Sequence, residues 1–131
     1  MHIIIGGAYN GKLAYVEQLL NNEQVSFFHG ELPTDNTHGE MAVMTNFEAI
    51  SQPYLQMDEM AAAALIFEEI MQSSVQFKQL YIVATDIGRG IVPIDATQRK
   101  QRDVLGRLYQ MLFKESESIT RVWYGIPQKL K

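Results

Sequence analysis

Apolar positions along this chain fall into two patterns: short continuous runs, and longer stretches in which they recur at helical spacing. His2–Gly6 is continuous and β-branched, which predicts a central strand buried on both faces. Gly6 and Gly7 break it, and over residues 11–20 the apolar Leu13, Val16, Leu19 and Leu20 return at helical spacing, with Asn21-Asn22 as the stop. A second strand is predicted at 25–28, a polar loop at 31–40 and a third strand at 41–47. Pro53 marks a break before a helix over 57–71, whose Met60, Ala63, Ala64, Phe67 and Met71 form a stripe expected to face the core. Residues 80–84 form the clearest later strand. A helix over 96–113 follows, with Val104, Leu108, Met111 and Leu112 on one face, and 121–124 gives a last strand.

Strands separated by helices predict an α/β fold: a mostly parallel sheet with helices on both faces. At 131 residues, 47% of them hydrophobic, the chain fits a single domain over 1–131 with a real core. There is no cysteine, which excludes disulfides, thiolate metal sites and a cysteine nucleophile and fits a reducing cytoplasm. A net charge of −4 argues against broad electrostatic attachment to nucleic acid. The opening apolar run is too short for a signal peptide, and no later stretch approaches a membrane span, so the chain reads as a soluble protein starting at Met1.

The chemistry concentrates in three places. After the first strand stands Gly6-Gly7-Ala8-Tyr9-Asn10-Gly11-Lys12-Leu13, which follows a phosphate-loop pattern in all but its last position. Glycines let backbone N–H groups turn inward around phosphate oxygens, and the lysine neutralises the outer phosphates. Leu13 stands where a hydroxyl ordinarily ligates magnesium, so a metal would be held otherwise or less well. Beyond the strand at 80–84 comes Thr85-Asp86-Ile87-Gly88-Arg89-Gly90-Ile91-Val92-Pro93, at the sheet edge where α/β proteins bind ligands. There Asp86 can meet a metal ion or a substrate hydroxyl, and an Asp-Gly turn without a ligand explains the same residues. Third, Arg99, Arg102, Asp103, Arg107 and Gln110 lie on the following helix, where the cations can clamp phosphates, pair with a neighbouring subunit or simply line a solvated face.

Taken in order, Gly6-Gly7-Ala8-x-x-Gly11-Lys12, Asp86-x-Gly88-x-Gly90-Ile91-Val92-Pro93, Arg102-Asp103-x-x-Gly106-Arg107-x-x-Gln110 and Gly125-Ile126-Pro127-x-Lys129-Leu130-Lys131 resemble the bifunctional adenosylcobinamide kinase and adenosylcobinamide-phosphate guanylyltransferase family of cobalamin synthesis. The resemblance implies a P-loop nucleotide-binding domain, a homo-oligomer, commonly a trimer, and ATP or GTP as substrate with Mg2+. It further implies phosphorylation of adenosylcobinamide and transfer of GMP to the resulting phosphate through a histidine-linked intermediate. On this basis Gly6, Gly7, Ala8, Tyr9, Asn10, Gly11, Lys12 and Leu13 would surround the triphosphate, and Lys12 and Asp86 would be catalytic. Arg102 and Arg107 would contact phosphate or another subunit. The family's strand-end carboxylate corresponds here to Thr45, with Glu48 as a substitute metal ligand, and the segment bearing its histidine is shortened to the loop at 31–40. His29 and His38 are nearby, but neither sits in that motif. The alternative is a nucleotide- or corrinoid-binding protein of the same family that has lost most catalysis.

Overall fold

The computed structural model describes residues 1–7, 10–34, 40–86 and 95–131. The strands are β1 (His2–Gly6), β2 (Val25–His29), β3 (Met41–Thr45), β4 (Gln79–Thr85), β5 (Ser118–Trp123) and β6 (Ile126–Lys129). The helices are α1 (Lys12–Leu19), α2 (Phe47–Ser51), α3 (Glu59–Ser74) and α4 (Ala96–Glu115), with a 3-10 turn at Gln52–Tyr54. The strands form one sheet in the order β2-β3-β4-β1-β5-β6. Every pairing is parallel except that of β5 with β6. The expected α/β architecture, a mostly parallel sheet carrying helices, is therefore what the chain adopts, and it is the P-loop-like fold.

Side chains adjacent along a strand point to opposite faces, and the core divides accordingly. Ile3, Met44, Ile82 and Ile119 join the larger cluster, built with α2, α3 and α4. Their neighbours Ile4, Val43 and Val83 join a smaller cluster with Val16 and Leu20 around α1. Burial on both faces is why β1, β3 and β4 read as unbroken apolar runs rather than alternating ones. At Gly6 the sheet leaves no room for a side chain: a Cβ there would lie 2.4 Å from the Val122 carbonyl oxygen of β5.

Three expectations are corrected. The third strand stops at Thr45 rather than running to residue 47, because Asn46 takes a left-handed conformation (φ 59°) and its side chain accepts from the Ala49 N–H, which starts α2. On α3 the buried face is Ala62, Ala63, Ile66 and Ile70. Met60 is 65% exposed and Ala64 is exposed, so the predicted stripe is rotated from the true one. The chain also does not end its sheet at 124: Tyr124 and Gly125 both have positive φ, and β6 returns antiparallel with Trp123 opposite Ile126. This two-residue reversal is the hairpin geometry that matches strand twist. Lys131 Nζ then donates to the carbonyls of Phe113, Lys114 and Ser116, satisfying acceptors at the C-terminal end of α4.

Candidate functional site

In a parallel sheet all carboxyl ends of the strands gather on one edge, and the loops leaving them share one mouth. Here that edge holds a cleft of about 410 Å³ lined by Asn10, Gly11, Lys12, Leu13, Ala14, His29, Thr45, Asn46, Val83 and Thr85. The first loop enters α1 through Gly11, which caps the helix in a left-handed conformation at φ 85°. Only glycine takes that conformation readily, so the lysine that follows can occupy the first helical position. On α1, Lys12, Val16 and Leu20 are buried and share one face. The apolar pair anchors the helix on the sheet, and Lys12 extends the same face into the cleft.

Lys12 is only 8% exposed, and its Nζ donates to the Gly7 carbonyl at 2.6 Å. Burial lowers its pKa from the ordinary lysine value. An ammonium carries three donors, so donors beyond the one held by Gly7 can meet an anion in the cleft. A buried cation beside the N-terminus of a helix is an arrangement that can receive an anion. Leu13, by contrast, is 43% exposed at the cleft and offers no ligand. Ala8 and Tyr9 lie outside the described residues, as do His38, Gly88, Gly90 and the rest of the segment 87–94.

The register of β2 against β3 sets His29 opposite Thr45. His29 Nδ1 and Thr45 Oγ1 are hydrogen-bonded at 2.6 Å, and Asn46 Nδ2 stands 3.5 Å from His29 Nε2. Sequence reasoning missed this grouping. His29 closes a strand instead of sitting in a loop, and it shares the cleft with Lys12. A usable signal existed for two of these residues: a polar residue directly after a predicted parallel strand belongs to the ligand edge, and His29 and Thr85 follow the strands predicted at 25–28 and 80–84, whereas Thr45 was hidden by a third strand predicted to run to 47.

Asp86 directly follows β4, and its N–H donates to the Gly6 carbonyl at 2.8 Å, so the two loops are joined at their roots. Among the described residues no cluster of three metal-binding side chains occurs. Glu48 sits on α2, and its charge acts on Tyr109 of α4, whose hydroxyl pKa is raised by burial first and by Glu48 second. It is not among the residues lining the cleft. Among the described residues lining the cleft the side-chain oxygens are those of Asn10, Thr45, Asn46 and Thr85, with no carboxylate, so a magnesium ion arriving with substrate phosphates would meet only neutral ligands there.

Arg107 pairs with Asp103 at 3.0 Å along α4 and lines a separate groove of about 400 Å³ with Gln110, Met60 and Met111. Arg102 is half-buried on the same helix. Neither arginine lines the Lys12 cleft. No helix among the described residues is long and apolar enough to cross a membrane.

Against known proteins, a family model described as cobinamide kinase / cobinamide phosphate guanyltransferase matches residues 32–130. The match takes in β3, β4, α4 and the last hairpin and starts after the Gly6–Leu13 loop. No curated protein matches the chain significantly.

Proposed function

The chain belongs to the cobinamide kinase / cobinamide phosphate guanyltransferase family, and on that premise we propose that it binds ATP or GTP on the Gly6–Leu13 loop and acts on adenosylcobinamide. The reaction is phosphorylation of its hydroxyl, guanylyl transfer from GTP to adenosylcobinamide phosphate, or both, within cobalamin synthesis. The observation that carries this reading is the buried Lys12, held at the end of β1 in a cleft that α1 opens onto.

Phosphoryl transfer depends mainly on positioning and on neutralising charge. Gly7, Gly11 and the α1 N-terminus orient the phosphates, and Lys12 offsets their charge. Asp86 holds the substrate hydroxyl or Mg2+, and the ion supplies further charge neutralisation when bound. His29, positioned by Thr45, is the histidine of the cleft and the candidate to carry a guanylyl group. Arg102 and Arg107, outside the cleft, serve contacts between subunits of a homo-oligomer. The whole of 1–131 works as one nucleotide-binding domain in the cytoplasm.

A second reading, a binding protein that retains the site with little turnover, draws on the cleft lining, which among the described residues contains no carboxylate and has Leu13 where a metal-binding hydroxyl would serve. Calorimetric titration with ATP and GTP, with and without Mg2+, tests both, with Lys12→Ala as control. Absence of binding at millimolar nucleotide overturns both. Incubation with adenosylcobinamide and labelled GTP separates them. Product formation supports the enzyme, protein label lost in His29→Ala assigns the covalent step, and binding without product or label leaves the binding protein.

A further inference from the structure

Beside the phosphate loop, on the side away from the cleft, the β5–β6 turn presents two aromatic side chains that the core does not use. Trp123 is 59% exposed and Tyr124 73% exposed, with their rings edge to face at 5.5 Å. The turn is fixed to the loop: the Gly125 N–H donates to the Asn10 carbonyl at 2.9 Å, and a Cβ on Gly11 would lie 3.4 Å from Gly125. Tyr124 holds a left-handed backbone (φ 49°), which a bulky aromatic residue rarely adopts and for which asparagine or glycine is the ordinary choice. Exposure and backbone strain at one position, next to an anion cradle, point to a ligand contact rather than to packing.

We propose that Trp123 and Tyr124 form the stacking platform for the base of the nucleoside triphosphate whose phosphates lie on Lys12. This rests on the phosphate reading of the loop and extends it. The sheet order puts β4 and β3 on one side of β1 and β5 on the other. The cleft occupies the β3–β4 side, so a triphosphate running along the loop with its outer phosphates toward Thr45 and Thr85 leaves its nucleoside toward the hairpin. Stacking has no hydrogen-bond code, so the platform accepts adenine and guanine alike.

Trp123 is the chain's one tryptophan, so its fluorescence reports this site directly. The test titrates the full chain with GTP, ATP and inorganic triphosphate, following tryptophan emission and calorimetric affinity, and repeats the affinities in Trp123→Val and Tyr124→Asn. The expected result is quenching by both nucleotides but not by triphosphate. Each variant should also lose roughly 5- to 150-fold in nucleotide affinity, the range for one stacked base, with triphosphate affinity unchanged. Tyr124→Asn relieves the turn and folds at least as well as the parent, so it decides the matter if Trp123→Val does not fold. Unchanged nucleotide affinity in Tyr124→Asn and Trp123→Val, with triphosphate still bound, overturns the platform and leaves the phosphate site standing. No binding of triphosphate or nucleotide by the parent overturns the phosphate site itself. Dissociation of an oligomer in the variants, with nucleotide affinity intact, overturns the platform in favour of an interface between copies.

Discussion

Gly125 and Asn10 are joined through their backbones, N–H to carbonyl at 2.9 Å, so the hairpin that closes the sheet also braces the loop that opens it. The contact lies between two left-handed glycines, since Gly125 sits at φ 79° and Gly11, which follows Asn10, at φ 85°. Gly125→Ala meets open space but places a side chain on a left-handed backbone, at a cost of about 1–2 kcal/mol. Gly125→Asn should cost less, because asparagine tolerates that region. Urea unfolding of the two variants checks the order, and triphosphate affinity should fall in step with the loss of the brace.

Gly6→Ala should be the more damaging glycine change, because the added methyl meets a backbone oxygen at 2.4 Å and β1 would have to part from β5. Overpacking of this kind costs about 1–3 kcal/mol. A lowered urea midpoint at unchanged slope is the expected result.

Removing the Lys12 ammonium with Lys12→Met should weaken triphosphate binding about 10- to 100-fold, the range for losing a hydrogen bond to a charged group. Thermal stability should hold or rise, since a desolvated charge leaves the fold. Because burial lowers the Lys12 pKa, a bound phosphate draws it back up. Binding should therefore take up protons in alkaline solution, which calorimetry in buffers of different ionisation enthalpy measures.

Leu13→Ser replaces a partly exposed side chain at the cleft with a hydroxyl at the position where phosphate loops bind magnesium. Nucleotide affinity in this variant should depend more strongly on Mg2+ than in the parent. Paired titrations with Mg2+ and with a chelator give the comparison.

At the opposite edge of the sheet, His2 Nδ1 is hydrogen-bonded to Ser118 Oγ at 2.6 Å, and the ring lies tilted by 30° against Tyr81, centroids 5.0 Å apart. Burial and the Met1 ammonium lower its pKa from 6.5, against an opposing pull from Glu117. The fold prefers the neutral ring, so this contribution is complete above pH 6.5 and is lost as pH falls through the lowered folded value. The thermal midpoint should drop between pH 7.5 and pH 5, and His2→Gln should flatten that limb. Triphosphate binding, at the other end of the strands, should be indifferent to the change.

How much was legible depended on how local the cause was. The strand, glycine turn and helix start that carry Lys12 were readable because they are neighbours in the chain. The true α3 stripe was not, because alanines and methionines are apolar enough to suit either face, and α4 decides which of them it covers. β6 was missed for a similar reason: Ile126 to Lys129 are all exposed, so no burial pattern marks them, and only pairing with β5 makes them a strand. His29 looked like a solvated residue because its partner Thr45 lies across a polar segment whose length says nothing about strand register.

The sequence by itself determined the α/β class, the glycine loop that leads from the first strand to Lys12 at the first turn of α1, and the membership of a family whose later motifs recur in order. Tertiary structure alone decided that Lys12 is buried, that His29 and Thr45 join it, that Arg107 faces elsewhere, and that Trp123 and Tyr124 stand beside the loop. The physical reason is register: local propensity forms each strand, but which strand ends meet is set only when helices on both faces bury the sheet in one alignment.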